Sequence, residues 1–165
     1  MKAAQMAIDL GPLFPIRIHV GFKNINAFEE YINADLTEEA TKKHMKGIRK
    51  YEKRASGLYN YQYRGSFTIF IYDNEDKPGV HLDEVIAHEV FHMTMNIGKY
   101  LGIKYCSKSE EFFAYVNGYI NSIIFSNRYL YEDDPDSSKE EAVLDKVITI
   151  QNIDREGFIQ NTTDV

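Results

Sequence analysis

A single cysteine, Cys106, occurs in the 165 residues, and no apolar run approaches the length of a membrane span. One cysteine excludes an intrachain disulfide, so a reducing compartment is the default expectation. The opening MKAAQMAIDLGPLFPIRIHV has no long apolar run before Asp9, so neither a signal peptide nor a membrane anchor is expected there. Internal repeats and a second folded domain are also missing. Net charge is -6, but residues 131–165 hold ten acidic and three basic residues, a balance of -7 that leaves the first 130 at +1. A body so close to neutral lacks the strong positive field that nucleic-acid binding draws on.

What is present is the composition of a soluble globular protein, 44% hydrophobic and 27% charged, long enough to bury a core. One domain over 1–130 is expected, followed by an acidic, loosely ordered tail over 131–165. PIRIHVGF alternates Ile16, Ile18, Val20 and Phe22 with Arg17, His19 and Gly21, the pattern of a half-buried strand. INAFEEYIN suits a short helix. The next segment reads as a longer helix, with Asp35 or Thr37 as N-cap, acidic residues in its first turn and Gly57 beyond its end. LYNYQYRGSFTIFIYD looks like two strands broken near Gly65, and NEDKPG like a turn. Two long helices follow, one from about 82 to Gly98 or Gly102, the other over about 108–129.

Seven basic residues (Lys42, Lys43, Lys46, Arg49, Lys50, Lys53 and Arg54) crowd the first long helix. They could face an anionic partner, but Glu38, Glu39 and Glu52 offset them, and a solvated helix face is the favoured reading. Nucleic acid is accordingly not the expected partner. Tyr59, Tyr61 and Tyr63 alternate as strand residues do, which fits packing better than base stacking.

His88 and His92 stand four apart on the second long helix, so both imidazoles leave one face and their nitrogens can reach one zinc ion. Glu89 lies beside that face, placed to touch a water next to the metal and not the metal itself. This is the H-E-x-x-H pattern of zinc peptidases, with the glutamate as general base. The bland alternative is two surface histidines on an amphipathic helix. Against it, Val85, Ile86, Ala87, Val90, Phe91, Met93 and Ile97 surround the pair, which reads as a helix buried on nearly all sides. Buried ionisable groups are costly unless paired or metal-bound.

Zinc needs a third ligand. No histidine follows His92, and Met95 and Gly98 break the metzincin pattern, so that class is excluded. Glu110 and Glu111 are the nearby downstream carboxylates. Ser107 with Glu110 three residues on forms a capping box that would turn Glu110 back to the helix start. Glu111 would then be free, beside a stripe of small residues, Ala114 and Gly118, that could let this helix approach another.

The interval from His92 to Glu111 is eighteen residues. The chain thereby resembles the gluzincin group of zinc metallopeptidases, in the spacing of the aminopeptidase branch. IAHEVFHMTM followed by EEFFAYVNGYI is closer still in resemblance to small metallopeptidases encoded by bacteriophages. The resemblance covers roughly 60–125. It implies an α+β, zincin-like fold, with a small, mostly antiparallel sheet packed on two long site helices plus the basic helix. It also implies Zn2+ held by His88, His92 and Glu111, and Glu89 as base. Many gluzincins carry an acidic residue four after the third ligand; here Tyr115 stands there. The aminopeptidase's motif for binding a peptide N-terminus is not evident before His88.

Several neighbours rank lower. His81 suits helix-start solvation, and Glu84 could support a histidine from behind. Cys106 is expected to be an inert, semi-buried thiol. Tyr105, Tyr115 and Tyr119 each could supply an oxyanion-stabilising hydroxyl. Zinc-dependent hydrolysis of an extended peptide or protein lying along 66–72 is the leading expectation. The runner-up is a catalytically silent zincin-fold module, with zinc as structural staple, that assembles with other phage proteins. The bacterial host cytoplasm or the virion is the expected location.

Overall fold

The computed structural model describes residues 3–11, 14–63, 65–72, 81–131 and 146–148. In chain order the elements are β1 (Ala4–Asp9), β2 (Arg17–Phe22), α1 (Ile25–Asn33), α2 (Glu38–Tyr51), β3 (Gly57–Tyr63), β4 (Ser66–Ile71), α3 (Leu82–Tyr100), α4 (Glu110–Ser126) and β5 (Lys146–Ile148). The strands lie in the order β3-β4-β2-β1-β5, and the architecture is α+β.

The sheet is mixed, not mostly antiparallel. β1 pairs antiparallel with β2, and β3 with β4, but β2 and β4 run parallel from Arg17↔Ser66 to Phe22↔Ile71. Two helices intervene between β2 and β3, and they carry the chain back so that β4 enters in the same sense as β2. Parallel neighbours need such a crossover. β1 has no counterpart in the sequence reading. Its Ala4 and Ala7 are weak strand formers, and it exists because Met6 and Ile8 pack into the core while its backbone pairs with β2. Gly65 makes the β3–β4 turn at φ +82, where a Cβ would strike the Pro15 carbonyl oxygen at 2.4 Å. Only glycine fits both conditions.

Each sheet face is covered. α3 and α4 bring Ile86, Val90, Met93, Ile97, Ile120 and Ile124 onto Ile18, Val20, Phe22, Phe67 and Ile69. Tyr131 closes this core, its ring stacked on Phe22 at 4.1 Å and its hydroxyl donating to the Ile124 carbonyl. α1 and α2 bring Phe28, Ile32, Met45 and Ile48 onto Phe70 and Tyr72. Of the expected acidic tail, Tyr131 is therefore core and 146–148 pairs with β1; the rest lies outside the described residues. Among those described, no helix is long and apolar enough to cross a membrane.

The basic helix is in part an ion-paired surface. Lys42 and Lys43 bond Glu38 and Glu39 one turn earlier, and Arg49 bonds Glu29 of α1. Of the two candidate caps, Thr37 accepts from the Ala40 amide. Asp35 instead turns inward, meeting His19 Nε2 and Arg17 Nε at 2.7 Å each.

Beneath α2 lies a polar pocket in the apolar layer. His44 Nδ1 stands 3.1 Å from Thr68 Oγ1 and its Nε2 3.4 Å from Ser66 Oγ, all buried. Burial, with His19 close by, pushes the His44 pKa down to about 4. Burial also lowers that of His19, against the pull of Asp35. Both imidazoles are thus neutral in the fold but take up protons when it opens below about pH 6.5. Stability is full above that pH and falls as acid takes it toward 4. From His44 alone, denaturant titrations should show a loss of roughly 2 kcal/mol between pH 7 and pH 5. His44→Gln should remove that share and leave only the part due to His19.

Candidate functional site

α3 is a 19-residue helix with a buried stripe of Ile86, Glu89, Val90, Met93, Thr94, Ile97 and Gly98. It is not buried on nearly all sides: His88 and His92 are exposed, and Phe91 is 56% exposed. The helix lies on the outside of a single sheet, so one face meets the core and Ala87 and Phe91 are left in water despite being apolar.

The two histidines meet. Their Nε2 atoms are 3.1 Å apart and their rings cross at 80°. A tetrahedral zinc ion with bonds of about 2.0–2.1 Å holds two nitrogens about 3.3 Å from one another. The pair therefore fits half of such a site with little adjustment. Glu89 points elsewhere, into the seam between α3 and β3, where its Oε2 accepts a 2.6 Å hydrogen bond from the Tyr59 amide. Gly57 permits that seam: a Cβ there would meet Val85 Cγ1 at 2.6 Å and Glu89 Cγ at 2.8 Å.

Glu111 does not join the histidines. Among the described residues, no group of three or more His, Cys, Asp or Glu side chains is placed to hold a metal ion. The Phe113 ring sits where a Cβ on Gly98 would lie, so the first turns of α4 rest beside the last turn of α3. Gly98 is six residues past His92, about 9 Å along the axis and about 120° around it. Ala114 and Gly118, expected to let α4 approach closely, are exposed; the close approach is made at Gly98 instead.

The capping box is not formed either. α4 begins at Glu110 with Ser109 before it, and the Ser109 hydroxyl donates to the Lys104 carbonyl and accepts from the Cys106 amide. Glu110 and Glu111 both stand exposed in the first turn, so capping does not separate them. The Ser109 hydroxyl satisfies the turn before the helix, which leaves Ser107 without that task.

Of the lower-ranked residues, His81 is exposed at the start of α3, and Glu84 is exposed in its first turn. Cys106 is exposed, not semi-buried, and hydrogen bonding to Ser109 lowers its thiol pKa. Tyr105 and Tyr115 are 58% and 60% exposed. The Tyr119 hydroxyl is buried without a hydrogen-bond partner among the described residues, and burial raises its pKa. β4, the expected substrate strand, has β2 on one edge and β3 on the other, so no further strand can pair with it. The free edge on this side, among the described residues, belongs to β3.

Sequence reasoning missed Gly57 and the Tyr59 amide as parts of the site, because a backbone donor thirty residues away leaves no motif. With the metal chelated, His88→Ala and His92→Ala should each change unfolding free energy by no more than about 0.5 kcal/mol, as for other exposed side chains. Gly57→Ala should cost roughly 1–3 kcal/mol by overpacking the seam. The chain matches no known family model, no curated protein and no solved structure.

Proposed function

We propose that this chain is a zinc-dependent peptidase whose metal is held by His88 and His92, with Glu89 as the proton acceptor. The observation that supports it best is the convergence of two exposed imidazole nitrogens to 3.1 Å on the helix that also carries Glu89. Exposed histidines have no packing reason to meet. Zinc at that point would polarise a scissile carbonyl and acidify a water molecule.

The protein's own part is then to orient and to move a proton. His88 and His92 are one helical turn apart and present their nitrogens together; Glu89 follows on the adjoining flank, toward β3. Its carboxylate is the group that would take a proton from the attacking water and deliver it to the leaving amine. An extended polypeptide would pair along the outer edge of β3, the strand against which Glu89 lies. Glu111 is the third ligand in this reading on the strength of the eighteen-residue interval alone.

Purified protein should carry one zinc per chain, measured by elemental analysis, and should cleave members of an unbiased peptide library unless chelator is present. Glu89→Gln should keep its zinc and lose activity by about two orders of magnitude or more. Equal cleavage by both proteins would point to a contaminant or another mechanism. Zinc without cleavage by either would favour the metal-stapled interaction module.

The two glutamates at the start of α4 separate by metal content. Glu111→Ala should abolish tight zinc binding, while Glu110→Ala should only remove a favourable charge from the helix N-terminus, about 0.3–1 kcal/mol of stability. Retention of zinc by Glu111→Ala would remove it from the ligand set.

A further inference from the structure

A glutamate between two histidines can lie almost anywhere on its side of the helix, since its side chain turns about three bonds. Here it does not wander. Glu89 is buried, and Oε2 accepts from the Tyr59 amide at 2.6 Å, a charge-assisted bond to a rigid strand. Tyr59 lies on β3, the outer strand on this side, opposite Ile69 of β4. Its amide points away from the sheet and would otherwise face water. Oε1 lies 3.3 Å from where a Cβ on Gly57 would stand, so the whole carboxylate is seated against β3.

The anchor exists only because residue 57 has no side chain. The Cβ of any other residue would overlap Val85 Cγ1 and Glu89 Cγ, both inside 3.0 Å. Neither neighbour can yield freely: Val85 packs against the core, and moving Glu89 Cγ moves the carboxylate.

Resting on the peptidase reading above, we propose that Gly57 and the Tyr59 amide are positioning groups for Glu89. They hold the carboxylate against the edge strand, on the flank of α3 adjoining that of His92, beside the line along which an extended polypeptide would pair with β3. Tyr59 acts through its backbone and Gly57 through the absence of a side chain; neither is a catalytic residue.

The contact and its role can be read separately. In full-length, metal-free protein labelled with 15N-tyrosine, Glu89→Gln should move the Tyr59 amide resonance more than any other tyrosine amide and speed its hydrogen exchange. An unmoved Tyr59 amide overturns the proposal whatever the enzyme does. For the role, Gly57→Ala should lower kcat on library peptides about a hundredfold, the scale for a reacting group misplaced by about 1 Å, with KM and zinc content unchanged. Should Gly57→Ala fail to fold, Glu89→Asp keeps the charge but is one methylene too short to reach Tyr59, and should show the same split. Unchanged kcat in a folded variant overturns the proposal. Wild-type protein that cleaves nothing, with the Tyr59 amide still reporting Glu89, would remove the peptidase reading and with it the role, leaving the contact as an element of the fold.

Discussion

The parallel pairing of β2 with β4 is the constraint from which the layers follow. Six consecutive residue pairs, Arg17↔Ser66 through Phe22↔Ile71, place these strands side by side in the same sense at the middle of the sheet. Parallel neighbours cannot be joined by a tight turn, so α1, α2 and β3 fill the connection. Because β3 folds back on β4 through Gly65, it becomes the outer strand, and the helices that precede it fall on one face. α3 and α4 occupy the other. The edge against which Glu89 lies is therefore a consequence of the centre of the sheet.

The two faces are stabilised by different chemistry. Against α3 and α4 the strands present isoleucines, Val20, Phe22 and Phe67, and area removed from water is the dominant contribution there. Against α1 and α2 the same strands present His19, Gly21 and Thr68 along with Phe70. Gly21 leaves room for the Phe28 ring, which occupies the place of its Cβ. Several covered polar atoms find partners here, His19 Nε2 with Asp35 and His44 with Thr68 and Ser66. A buried hydrogen-bonding group is costly when unmatched, so this pocket favours one seating of α2 over others of equal apolar area.

The candidate site spans both regimes. His88 and His92 lie in water, where substitution hardly touches the core, and Glu89 lies in the seam with β3. One helix can serve both because the residues sit on adjoining flanks. The seam is narrow because Gly57 is a glycine. α4 docks on the opposite flank, at Gly98.

Much was legible locally. The alternation in PIRIHVGF, the break at Gly65, the helix behind Thr37 and the i, i+4 meeting of His88 with His92 all follow from backbone period and residue type, which neighbours in sequence control by themselves. Other features were decided by packing. β1 has weak strand propensity and forms by pairing with β2; the parallel centre of the sheet depends on where two helices send the chain. Asp35 is as good a helix cap as Thr37 until His19 and Arg17 claim it. Exposure of the histidines, the partner of Glu89 and the flank chosen by α4 likewise depend on contacts between residues far apart in the chain. Local periodicity says which side chains share a face. Which partner that face meets depends on the relative free energies of whole packed arrangements, and only the folded chain compares them.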